Sequence, residues 1–269
     1  MSGLPRRSAE VGRRALRSAA LVLIAVAPPS TGAASEAYRA LLARHVRPGT
    51  VDGIRLNFVD YAALAEDPSY RAALADFATA DPAALPSDGD RMAFWINAYN
   101  LLAIETVIDR RPIASIKDGG SFLFPIWKKK VGRVAGRDLS LDDVEHGILR
   151  KDFAEPRVHF AVVCASLSCP DLRAEPYEGA RLDAQLDDQA TLFLGNPTKG
   201  MRLSADGKTA EVSAIFKWFA GDFDRVGGVA AFLRAKAPPE LKPRMSAFED
   251  AGLSYLDYDW SLNDARRAQ

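Results

Sequence analysis

The chain has 269 residues, with 35 Lys and Arg against 35 Asp and Glu, so its formal charge is zero. Apolar residues make up 48% and charged residues 26%. This is globular composition, neither the basic surface of a nucleic-acid binder nor the charge excess of a disordered chain. Two Cys cannot staple a disulfide scaffold, and three His limit any His-based metal site.

Residues 1–34 have the layout of a secretory signal. Arg6, Arg7, Arg13, Arg14 and Arg17 form a basic stretch, residues 19–27 are apolar, and Gly32, Ala33 and Ala34 are small residues suited to cleavage. The apolar run is shorter than the roughly 20 residues that span a bilayer. The expectation is a periplasmic or secreted protein whose mature part, residues 35–269, forms a single globular domain with no stable membrane insertion. The five Arg and one Glu of the first 34 residues carry +4, which leaves −4 on the remainder. No nucleic-acid partner is expected.

Along residues 35–269, helical spacing of Tyr38, Leu41 and Leu42 predicts a helix over 35–45. Residues 46–60 read as a loop with a short strand at 54–59, and helical periodicity resumes over 61–78. Residues 81–90, rich in Pro and Asp, read as a connection. Residues 91–110, RMAFWINAYNLLAIETVIDR, are apolar at i, i+3, i+4 and i+7, which predicts a helix buried on most sides and ended by Pro112. Asn97 and Asn100 share a face of it. Buried amides need partners, so they either hold loop backbone or orient a catalytic group.

Residues 117–139 predict a loop followed by a hairpin, 130–134 with 137–139, turning at Ala135-Gly136. Ser140 and Asp143 form a capping-box pattern that opens a helix carrying Glu145 and His146. Residues 157–164, RVHFAVVC, read as a strand buried on both faces. Helices are predicted over 182–194, 213–219 and 228–236, a hairpin over 201–203 and 210–212, and a strand over 254–259. Together these define an α+β fold, a mainly helical single domain packed on a small, mostly antiparallel sheet.

No phosphate loop, dinucleotide glycine fingerprint, zinc-protease helix motif or Gly-x-Ser-x-Gly elbow occurs, so no cofactor is expected. The chemistry-bearing residues gather at 145–169. A thiol nucleophile needs a base, and the base needs a group to orient its ring. Cys164 or Cys169 can attack, His146 or His159 can act as base, and Glu145 or Asn97 can orient it. On an ideal strand His159 and Cys164 point to opposite faces, which favours His146 as the base of Cys164. If the chain turns off the strand, or if Cys169 attacks, His159 returns. Pro170 suits the first position of a helical turn, which would lower the Cys169 thiol pKa. The spacing of these Cys and His residues matches no common zinc pattern, and no metal is expected.

The segments FWINAYNLLAI, Glu145-His146, PRVHFAVVCASLSCPDLR, SAIFKWFAGDF and YLDYDWSLN together resemble the family called domain of unknown function 547, from about Asn57 to Asn263. The resemblance implies a sheet-and-helix layout similar to papain-like thiol enzymes. The function expected is a thiol hydrolase or acyltransferase acting on an amide or thioester of a small peptide-like substrate. The alternative is a non-catalytic binding module in which Cys164 and Cys169 form a structural disulfide and Trp218, Tyr258 and Trp260 line a recognition surface.

Overall fold

The computed structural model describes residue 1 and residues 35–267, apart from 52, 122, 247, 250 and 251. Nearly all of the signal reading of residues 1–34 lies outside the described residues. Among the described residues no helix is long and apolar enough to cross a membrane.

The fold is α+β, mainly helical with small sheets. Helix α1 (Glu36–His45) is capped by Ser35, whose side chain accepts the Tyr38 amide. It leads into a hairpin of β1 (Val46–Val51) and β2 (Ile54–Val59). Sequence periodicity finds β2 but not β1, because Pro48 and Gly49 carry little strand propensity and only pairing with β2 holds them extended. The single helix predicted over 61–78 is two, α2 (Tyr61–Glu66) and α3 (Pro68–Thr79). Asp67 ends the first and caps the second, with Pro68 at its first position.

Helix α4 (Asp88–Arg110) is the axis of the molecule. Nearly every side chain from Met92 to Val107 is buried. The two amides on it hold backbone. Asn97 donates to the Tyr177 carbonyl at 2.8 Å and accepts the Tyr177 amide at 2.9 Å. Asn100 donates to the Ala161 carbonyl at 3.0 Å and accepts the Val163 amide at 2.9 Å. Asn100→Ala would orphan a buried carbonyl and a buried amide, each worth about 1–3 kcal/mol. The expected result is a lower midpoint in urea at unchanged slope, and an unshifted midpoint would contradict this bracing role.

Strands β3 (Gly132–Val134) and β4 (Arg137–Leu139) form the predicted hairpin. Helix α5 (Leu141–Val144) starts at the Ser140–Asp143 capping box and widens into a π-helix over Glu145–Phe153. The segment read as a strand over 157–164 is instead a turn of helix, α6 (Val158–Ala161), followed by extended chain. A short buried apolar run has no periodicity to separate helix from strand. Here the Asn100 bracket supplies the backbone partners that a sheet ladder would have supplied.

Helix α7 (Leu182–Leu194) precedes β5 (Met201–Leu203) and β6 (Ala210–Val212), an antiparallel pair to which β7 (Leu253–Tyr255) adds in parallel. Between β6 and β7 lie α8 (Ile215–Trp218), a 3-10 stretch over Ala220–Val226, and α9 (Val229–Lys236). Among the described residues the strands fall into three small sheets, two of them two-stranded hairpins.

Two large apolar clusters result, beside a small one of Val51, Leu56, Phe58 and Leu167. One surrounds α4, and the other is rich in Phe and joins Phe160, Phe193, Phe216, Phe223 and Phe232. Residues 158–164 thread between them, with Val158 and Ala161 in the first and Phe160 in the second. This threading positions the site.

Candidate functional site

A cavity of about 270 Å³ opens where the two clusters meet. Glu145, His146, His159, Cys164 and Cys169 all line it, as do Trp218, Tyr258 and Trp260. Five of the six site residues expected from sequence are thus brought together. Asn97 is not among the lining residues, and its amide serves the Tyr177 backbone as described. A larger groove of about 710 Å³, along Arg55, Asn57, Arg173 and Asp188, contains no Cys or His.

The loop after α6 doubles back. Ala165 takes a left-handed φ of 58°, and the Cys169 amide donates to the Ser166 carbonyl at 3.2 Å. The return brings the two sulfurs to 2.9 Å, both as free thiols. Residues 258–264 hold the loop from outside. The Leu167 amide donates to Ser261, the Asn263 amide to Ala165, and the Asp259 amide to Ser168 Oγ. Behind it the buried Lys199 ammonium donates to the Cys169 carbonyl at 2.9 Å and pairs with Asp171 at 2.6 Å.

The two thiols differ. Burial raises the Cys164 pKa, but hydrogen bonds from Cys169, Ser166 and Tyr258 outweigh it, and the net shift is downward. Ser166 Oγ and Tyr258 Oη each lie 3.3 Å from Cys164 Sγ. Burial and the neighbouring Cys164 push Cys169 up. No helical turn opens at Pro170, so the expected lowering of the Cys169 thiol has no source.

His159 belongs to a separate chain of contacts. Its Nε2 lies 2.7 Å from Asp222 Oδ2, and Arg150 clamps both Asp222 oxygens with one edge of its guanidinium, Nε at 2.6 Å and Nη2 at 2.8 Å. The Arg150 hydrogen bond holds Asp222 down to about 2. Burial holds His159 down to about 4 despite Asp222. A carboxylate can only accept, which assigns the His159 proton to Nε2 and leaves Nδ1 as a lone pair. That nitrogen is buried without a hydrogen-bond partner, 3.9 Å from Glu145 Oε1. The ring stacks on Phe219 at 4.0 Å. An unsatisfied buried nitrogen beside a cavity calls for an explanation, and a catalytic role or a bound water supplies one.

Glu145 completes the polar wall. Burial pushes its carboxyl up to about 7, opposed by the Tyr99 hydroxyl, which donates at 3.2 Å. His146 is held below its ordinary value by burial and by Arg150, whose N–H donates to Nδ1 at 2.7 Å. Glu145 and His146 are sequence neighbours, yet both reach the cavity from the π-helical turn. Such turns recur at functional sites. No histidine ring hydrogen-bonds either thiol among the described residues. Because α6 is helical, the strand-parity argument that favoured His146 over His159 does not apply.

Asp222, Arg150, Tyr99 and Ser166 were not found by sequence reasoning. Asp222 had one signal, its place in SAIFKWFAGDF, but nothing in its spacing links it to His159, 63 positions earlier. Trp218, Tyr258 and Trp260, expected only as a recognition surface, form an aromatic rim with ring centroids 4.6 to 5.7 Å apart. Among the described residues no group of three or more His, Cys, Asp and Glu could hold a metal ion.

Fold and site together define an α+β domain built around a buried pair of unequal thiols. Residues 61–194 match the family model described as protein of unknown function, DUF547, and the chain belongs to that family. No curated protein and no solved structure matches the chain.

Proposed function

We propose that the protein is a thiol-dependent enzyme that transfers or hydrolyses a small acyl group, with Cys164 as the nucleophile. The observation that carries this reading is the Cys164 sulfur, acidified by three hydrogen bonds at the wall of a cavity that also receives a raised carboxyl and an unpartnered imidazole nitrogen. Cys164 attacks the carbonyl carbon of an amide or thioester. Glu145, with a pKa of about 7, is suited to give a proton to the leaving group and to take one from water. His159 Nδ1 is a second acceptor, and Asp222 fixes its ring. The cavity lies just below the about 300–1,000 Å³ typical of drug-sized ligands, so it favours a small substrate portion flanked by aromatic rings.

Residues 1–34 support export, with residues 35–269 as the working domain, and the −4 charge of that domain supports a partner other than nucleic acid.

The test is a stoichiometric acyl adduct. The protein is mixed near neutral pH with a small activated thioester and measured by intact mass and peptide mapping. An adduct on Cys164 that disappears in Cys164→Ser supports the reading. No adduct, or one on another residue, overturns it.

A further inference from the structure

Cys169 has no role in acyl transfer beyond holding Cys164, yet it is the nearest group to it. Its sulfur lies 2.9 Å from Cys164 Sγ, and a disulfide bond is about 2.05 Å long, so a bond needs less than about 1 Å of further approach. Resolving thiols are often remote and arrive only after local unfolding. Here the return loop has already delivered Cys169, and the pins from residues 259–263 and Lys199 hold it in place. The division of exposure also fits. Cys164 is partly exposed at the cavity, whereas Cys169, although it reaches the cavity wall, is only 4% exposed.

We propose that Cys164 and Cys169 form a redox-active dithiol, in which Cys164 reduces a hydroperoxide entering the cavity and Cys169 resolves the resulting sulfenic acid. This rests on Cys164 being the reactive thiol but not on acyl chemistry. In the first step the Cys164 sulfur attacks one peroxide oxygen and the O–O bond breaks. The other oxygen leaves as an alcohol, or as water, with the proton released by the thiol. In the second step the Cys169 sulfur attacks the Cys164 sulfur, the S–O bond breaks, and the oxygen leaves as water with the Cys169 proton. Two thiols are oxidised to one disulfide while one hydroperoxide is reduced. A dithiol reductant restores both thiols by two exchange steps and departs as its own disulfide. Ser166 Oγ and Tyr258 Oη, the latter in the cavity wall, stay within reach of the Cys164 sulfur and steady the thiolate before attack.

The test uses the full chain, reduced and then given one equivalent of hydrogen peroxide near neutral pH. It is then quenched with N-ethylmaleimide in denaturant, so that any free thiol is labelled, and mapped by mass. The expected result is a loss of about two mass units, a Cys164–Cys169 bridge, and no maleimide on either residue. In Cys169→Ser, Cys164 should instead be trapped by dimedone, an adduct absent from the wild type. Wild-type Cys164 that accumulates as sulfinic acid or as a dimedone adduct while Cys169 stays free overturns the proposal. So do two thiols that remain fully maleimide-reactive after peroxide. If Cys164 forms the acyl adduct but no bridge, this proposal fails and the acyl reading stands. A bridge without an acyl adduct gives the reverse.

Discussion

Iodoacetamide should label Cys164 in the native protein with a pH midpoint below the about 8.5 of an unperturbed thiol, and Cys169 only after unfolding. Cys164 is the more exposed of the two, and hydrogen bonding separates their acidity, because burial alone would raise both. Cys164 collects three hydrogen bonds that favour its thiolate, whereas Cys169 faces the charge that this creates. Cys164→Ser should abolish native-state labelling. Tyr258→Phe removes one of the three donors, so the midpoint should rise and the rate at neutral pH should fall, with labelling still confined to Cys164. The check is a rate–pH profile for each variant, with the labelled peptide identified. Equal labelling of the two thiols in the native wild type would contradict the assignment.

Glu145→Gln should change how stability depends on pH. Burial holds the Glu145 carboxyl up to about 7, and in an unfolded chain it titrates near 4.3. Between these values the folded state binds the additional proton, so this group's contribution is present at low pH and is lost as pH rises through about 7. His159 acts with the opposite sign. It is held down to about 4 against about 6.5 when unfolded, so its contribution is present above about 6.5 and is lost as pH falls toward about 4. In the wild type the two slopes oppose each other over much of the same range. Glutamine removes one of them, so the variant should gain stability relative to wild type as pH rises from about 5 to about 8. The full difference is on the order of 3 kcal/mol, or roughly 5–10 °C in Tm. Side-chain exposure of Glu145 is 14%, low enough for little solvent screening. Melting temperatures that run parallel across this range would refute the buried, proton-holding carboxyl.

Much of the fold was legible from local pattern. Helix α7, strands β2, β5 and β6, and the Ser140 capping box follow from periodicity, turn residues and cap chemistry, which act over a few residues. The misreading of 157–164 has a tertiary cause. Its β-branched run is buried by two clusters and braced by Asn100, 61 and 63 positions away, so no local signal could separate helix from strand. The candidate site divides in the same way. Crowding of Cys and His at 145–169 pointed to five of the lining residues. Asp222 and Arg150 come from distant elements, and their pairing across 72 positions exists only once the second cluster has packed. Asn97 was considered for catalysis because a buried amide looks purposeful, and its purpose is to hold the Tyr177 backbone.

The pins on the thiol loop also set an order in time. Tyr258 lies 94 positions after Cys164, and the matched family region closes at residue 194. A ribosome therefore releases both thiols long before it releases the hydroxyl that acidifies one of them and the residues that fasten the loop. The third hydrogen bond of Cys164, and the outer fastening of the loop, thus come from the last part of the chain to be made.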